Sequence, residues 1–284
     1  MHIQKIQFTT IQRIKAIFVA THFLPCVLVT VMTSLLAYGA GQRRSILLLA
    51  PAVLFGQFCI GWSNDYIDRD RDRIAGRHEK PTVSGAVTAI TLRNLAIISA
   101  VLSIGFSILY SQPATLVYLV AFGSAFWYNV RLKSSVLSIA TFIVSFGLLP
   151  VYVGLGTAPH FIPAAWIIFA MIMWSIGIHI QNVIPDFEAD AKTGIKGAAN
   201  YLSPTQAVVI TGMVLAVSAG AIGFGVRHGA SVFVWVLLAV FGVIALQFVK
   251  HLLNKDELAA FKTSMLMTAV GSLLIMCAGP FMRS

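Results

Sequence analysis

The chain has 284 residues, 58% of them hydrophobic and 11% charged, with a formal net charge of +10. A mean hydropathy of +0.85 excludes an ordinary soluble domain. The basic excess gathers between apolar runs, where topology and anionic lipid explain it, so no nucleic-acid partner is expected.

A helix crosses the hydrocarbon core with about 20 apolar residues, and only helices or closed barrels span a bilayer. No stretch alternates as a strand would, and nine apolar segments succeed one another in chain order. The first two cover 17–39 and 45–63, with Pro25 and Pro51 inside them. A long polar stretch, 64–93, comes next. The third and fourth spans, 94–110 and 114–130, are separated by a tight turn at Ser111–Pro113. Arg131–Ser134 turns the chain into the fifth, 135–155, which holds Pro150. The sixth span, 162–183, runs into a second polar stretch, 184–204. Spans 205–225, 231–249 and 263–281 complete the set. With the N-terminus in the cytoplasm, every Lys and Arg except Arg43, Arg44, Arg227 and Arg283 falls on the cytoplasmic side, as the positive-inside rule requires. The expectation is a single all-α integral membrane domain over 1–284, a nine-transmembrane-helix bundle whose 64–93 and 184–204 loops are cytoplasmic. Cys26, Cys59 and Cys277 lie scattered in apolar segments and read as small buried hydrophobes.

All but one of the aspartates fall in those two polar stretches, and the same frame occurs in both. One copy is Asn64-x3-Asp68-x3-Asp72-x3-Gly76, the other Asn182-x3-Asp186-x3-Asp190-x3-Gly194, which marks an internal parallel repeat of the second and sixth spans. Spacing by four puts each Asn and its two carboxylates on one helical face, drifting by roughly 40° per step. Stacked carboxylates repel, so the pattern makes most sense around a bound cation. Acidic residues beside lipid are costly and tend to mark function. Hard carboxylate and amide oxygens suit Mg2+, which keeps positions for phosphate oxygens. Two such clusters facing each other would hold a diphosphate. Asp65, Asp70 and Glu188 fall off the shared face. Pro185, just before Asp186, should disturb the sixth helix. His179 lies near the face of Asn182, where it would act on an acceptor or simply bond structurally.

Asn64-Asp65-x2-Asp68-x3-Asp72, followed by Arg77-x2-Lys80-Pro81, resembles the first signature of the UbiA-type intramembrane prenyltransferases. Asp186-x3-Asp190-x3-Gly194 is similar to their second, and the resemblance covers essentially the whole chain. It implies Mg2+-dependent transfer of a polyprenyl group from a polyprenyl diphosphate to an acceptor in the lipid bilayer, usually an aromatic ring. By the same resemblance Asn64, Asp68, Asp72, Asp186 and Asp190 would form the catalytic centre, with those four aspartates as the metal ligands. Arg77 and Lys80 match the basic pair after the first signature. Tyr128 and Lys133 resemble the family's turn after the fourth helix, and Arg13 matches an arginine before the first. Arg77, Lys80, Lys133, Arg13 and Asn182 are thus expected at the diphosphate, and Tyr128 at the reacting centre. The segment Gly194–Asn200 departs from the aromatic-acid members, which leaves a non-aromatic lipid or carotenoid acceptor open. A cation-coupled secondary transporter is the rival from another class; it would place carboxylates near the bilayer midplane in an inverted repeat, and neither is seen here.

Overall fold

In the computed structural model, which describes residues 8–283, every regular element among the described residues is helical. Lys5 and the side chains of Glu188 and Lys192 lie outside that description. The first apolar run is not one straight span. Helix α1 (Thr10–Val19) starts on a capping box in which Thr9 and Gln12 bond each other's backbone at 3.3 and 2.8 Å. It meets α2 (Phe23–Gly39) at a bend of 54°. His22 takes φ +54° at this elbow, and the elbow rests on α3 (Ile46–Ile74). There Trp62 Nε1 donates to the Ile17 carbonyl at 3.0 Å. Gly61 makes the contact possible, because a Cβ at that position would strike the Thr21 backbone. Backbone cannot swing aside as a side chain can. Gly61→Ala should therefore cost about 1–3 kcal/mol of stability, seen as a lowered Tm in detergent. Gly105→Ala, whose Cβ would meet open space, should leave Tm unlowered.

Helix α3 does not stop near 63 but continues through the acidic frame to Ile74. A single turn, α4 (Pro81–Ser84), then leads to α5 (Ala89–Tyr110). Ser111 alone joins α5 to α6 (Gln112–Val130), ending one helix and accepting the Ala114 N–H at 3.4 Å to cap the next. The expected fifth span is interrupted at Leu148, giving α7 (Ser138–Gly147) and α8 (Leu149–Leu155) with Pro150 in the opening turn of the second. Next come α9 (Ala165–Val183), the short α10 (Phe187–Thr193), α11 (Pro204–Val226), α12 (Val232–Leu253) and α13 (Glu257–Cys277).

The long helices pack on their neighbours in chain order: α2 on α3, then α5, α6, α7, α9, α11, α12 and α13, which returns to α2. This closes a ring. The long helices that lead into the acidic segments pack most extensively on the long helix after them, α3 on α5 and α9 on α11. Among the described residues, seven helical stretches are long and apolar enough to cross a membrane, or eight if α1 and α2 count as one broken span. Helix α6 is not in that set. It has 19 residues, but Gln112, Trp127, Tyr128 and Asn129 reduce its apolarity.

Most polar groups inside the ring are paired, as a water-poor interior favours. Tyr118 Oη and Ser103 Oγ lie 2.6 Å apart, each also within 3.0 Å of the Ala52 carbonyl. Tyr110 donates to Gln42 Oε1 at 2.6 Å, and Gln42 Nε2 to the Val153 carbonyl at 2.7 Å. Cys26 and Cys59 are buried and Cys277 half-buried, all three as free thiols.

Candidate active site

Both acidic frames end in the same local structure, and this explains their shared glycine. After α3, Gly76 adopts φ +70°, and after α10, Gly194 adopts φ +73°. That region is open to glycine at no steric cost. Past Gly76, the Arg77 N–H bonds the Asp72 carbonyl at 3.0 Å, while Gly76 N–H bonds Arg73 at 3.2 Å, which is the Schellman closure. Past Gly194, the Ile195 N–H bonds the Asp190 carbonyl, also at 3.0 Å. The reversal at Gly76 folds Arg77 back over the acidic face, 3.5 Å from Asp72.

Asn64, Asp68 and Asp72 share one face of α3. Asp68 and Asp72 are buried and Asn64 is half-buried. Asn64 Nδ2 lies 3.4 Å from Asp68 Oδ2 and 3.2 Å from Asn129 Oδ1. Asn129 is itself fixed to the Ile60 carbonyl at 2.9 Å and Ser63 Oγ at 3.1 Å. The second frame is not continuous. Around Pro185, residues Ile184–Asp186 form a 3-10 turn between α9 and α10, and its tighter winding rotates α10 out of the α9 register. Asp190 is buried and bonded to Asn200 Nδ2 at 3.1 Å. Asp186 sits at the rim, and Asn182, on the far side of the break, is exposed. The structure does not gather Asn182 with the carboxylates as it does Asn64.

Arg77 bridges the two frames. Arg77 Nη2 reaches Asp186 at 2.6 Å while its other terminal nitrogen faces Asp72. Lys133 Nζ, on the turn after α6, holds Asp68 Oδ2 at 2.7 Å, and Arg71 pairs with the other oxygen of Asp68. Asp68, Asp72 and Asp190 thus line one basin with Arg71, Arg77 and Lys133, leaving a free volume of about 10 Å³. Burial, reinforced by Arg71, pushes the Lys133 ammonium down to about 8, and burial raises the Asp190 carboxyl.

Lys80 and Arg13, like Asn182, do not line this basin. Lys80 turns away from the basin to Asp65, 2.7 Å away and 1% exposed, with His22 3.5 Å from the same oxygen. This ties the α4 loop and the α1–α2 elbow to α3. Removing one partner of a buried pair strands the other charge, so Lys80→Met should cost about 3–5 kcal/mol of stability. Its Tm should fall while the folded fraction keeps its affinity for diphosphate. Arg13 is exposed on α1, with no ion pair among the described residues. Tyr128 is half-buried, its ring 5.3 Å from Phe142 and 6.0 Å from His179.

Arg71, Asn129 and Asn200 also belong to the cluster, although no sequence signal marks them. Arg71 stands in a run of alternating charges that reads as surface pairing. Asn129 follows Tyr128, and Asn200 closes the Gly194–Asn200 segment. The structure reveals them through the pairing of Arg71 with Asp68, of Asn129 with Asn64 and of Asn200 with Asp190.

Among the described residues no three acidic, histidine or cysteine side chains converge as a complete metal cage. The donor set nonetheless fits Mg2+, which takes one or two carboxylates and completes its shell with water and phosphate oxygens. Asp72 Oδ2 is buried with no hydrogen-bond partner among the described residues, which leaves it free to take a cation.

The UbiA prenyltransferase family profile matches residues 25–270. The 4-hydroxybenzoate octaprenyltransferase of Klebsiella pneumoniae is 27% identical over 218 residues, 75% of each chain. A UbiA homolog from Archaeoglobus fulgidus bound to GPP and Mg2+ superimposes with a TM-score of 0.65 at 18% identity, covering 92% of this chain and 99% of the other. The apo UbiA homolog from Aeropyrum pernix K1 gives 0.67 at 19% identity, over 87% and 96%. A profile match over most of the length, on a multi-pass helical membrane fold that brings the two acidic segments together, shows that this chain belongs to the UbiA prenyltransferase family and is a prenyltransferase.

Proposed function

We propose that the basin between the two aspartate segments binds a polyprenyl diphosphate and that the prenyl group passes to an aromatic, quinone-precursor-like acceptor. One observation carries this reading: Asp68, Asp72 and Asp190, from segments far apart in sequence, share a basin with three cations at one end of an apolar bundle. Asp68 and Asp72 on one side and Asp190 and Asp186 on the other would hold Mg2+, which when bound neutralises the diphosphate as it leaves. Arg71, Arg77 and Lys133 now face carboxylates; with substrate present they would face diphosphate oxygens, and Arg77 spans both segments. The allylic C–O bond breaks with its electron pair going to the diphosphate. The Tyr128 ring would face the resulting allylic cation, and the apolar helices exclude water. Fixed charge in a water-poor site is usually the largest catalytic contribution. The aromatic acceptor is supported by the likeness to 4-hydroxybenzoate octaprenyltransferases.

The same reading takes α6 as a ninth span, because it fills the ring between α5 and α7, with Asn129 turned inward and Trp127 outward. The basic flanks put the acidic ends in the cytoplasm. The test is prenyl transfer by purified protein in lipid, with radiolabelled geranylgeranyl diphosphate, Mg2+ and a panel of phenolic and lipid acceptors. A labelled lipid product abolished by EDTA is expected. Transfer unaffected by EDTA would remove Mg2+ from the account.

A further inference from the structure

His179 is 1% exposed, and its two ring nitrogens are treated differently. Nε2 lies 3.3 Å from Ser138 Oγ, which also accepts the Ala198 N–H at 2.8 Å. Beyond Ala198, the Gly197 N–H meets Asn200 Oδ1 at 2.9 Å, and Asn200 continues to Asp190. One side of the imidazole is therefore built into the polar chain that supports the second acidic segment. The other nitrogen, Nδ1, is buried with no hydrogen-bond partner among the described residues.

Buried polar atoms in native proteins are nearly always paired, and the exceptions call for an explanation. The surroundings of His179 suggest one. Its ring lies 4.7 Å from Phe142 and stands edge-on to Tyr128 at 6.0 Å, while Tyr128 and Phe142 meet at 5.3 Å. Two aromatic rings flanking an imidazole with one unpaired nitrogen match a guest with apolar faces and an oxygen at its edge. They sit beside the basin, since Tyr128 lies just before the turn carrying Lys133 and Ser138 links His179 towards Asp190.

We propose that His179 is the residue that binds and orients the prenyl acceptor, through a hydrogen bond between Nδ1 and the oxygen of a phenolic ring lying against Tyr128 and Phe142. The proposal rests on the prenyl-transfer reading above and adds to it the group that recognises the acceptor. No proton, electron or bond changes hands at this contact; it fixes which ring carbon faces the donor.

Two substitutions separate this role from a structural one. An Asn side chain carries a polar atom where Nδ1 stands and none at Nε2, whereas Gln extends to the Nε2 position and leaves Nδ1 empty. The measurement is KM for 4-hydroxybenzoate, dihydroxynaphthoate and homogentisate with geranylgeranyl diphosphate as donor, alongside Mg2+-dependent donor binding, for the wild type, His179→Asn and His179→Gln. The expected result is that His179→Gln raises the acceptor KM by about tenfold or more with donor affinity unchanged, while His179→Asn keeps the acceptor KM near wild type. Retention by Gln with loss in Asn would assign His179 to holding Ser138 and overturn the proposal. Unchanged KM in both would overturn it too, as would a wild type that binds donor yet prenylates none of the three phenols. A wild type that binds no donor would instead refute the prenyl-transfer reading itself.

Discussion

Asp68→Ala and Asp190→Ala should each lower prenyl transfer by on the order of 10³-fold or more while leaving the protein folded. The two residues come from different segments, yet both are buried against the same three cations. Removing either carboxylate leaves a positive excess in the basin and deletes a candidate Mg2+ ligand. Both variants should stay folded with a lowered Tm, because stranding buried partner groups carries a cost while the ring of helices is held by apolar packing. Full turnover in either purified variant would contradict the two-segment site. Asp70→Ala is the control, since Asp70 is exposed and, among the described residues, paired only with Arg69 and Arg73 on its own helix.

Arg77→Met should reduce transfer by on the order of 10²-fold, mainly through weaker diphosphate binding. Arg77 is the one described side chain that the structure pairs with carboxylates of both acidic segments, 2.6 Å from Asp186 and 3.5 Å from Asp72. Its position depends on the Gly76 turn, so Gly76→Val, strained at φ +70°, should mimic the loss. Arg77→Lys should recover only part of it, because a single ammonium cannot reach both segments as a planar fork does. The check is the diphosphate KM of each variant; a value equal to wild type for Arg77→Met would remove Arg77 from the substrate.

The architecture is legible in the sequence because hydropathy is a sum over many residues. A helical membrane bundle is implied by composition alone. The breaks are less legible. Pro185 predicts the interruption after α9, yet the register shift that exposes Asn182 depends on how tightly Ile184–Asp186 winds. The α1–α2 elbow at Ala20–His22 contains no proline. It is set by the close approach of Thr21 to Gly61, a tertiary fact. The frame repeat identifies the aspartates because an i, i+4 pattern is local information. The assignment of Lys80 to diphosphate comes from a motif, and the structure instead shows it satisfying Asp65, a partner that linear spacing does not reveal. Asn129 is silent in the sequence for the same reason, joining the site through contacts with α3, whereas Arg71 and Asn200 are reached by local bonds to Asp68 and Asp190 that ordinary surface residues also make.

The most direct test of the central claim is calorimetric binding of geranylgeranyl diphosphate to the intact protein, with Mg2+ and with EDTA, for the wild type, Asp68→Asn and Asp190→Asn. Binding that requires Mg2+ and is lost in both variants would establish that the two segments hold one diphosphate between them. Binding that survives EDTA, or that either variant retains at wild-type affinity, would contradict it.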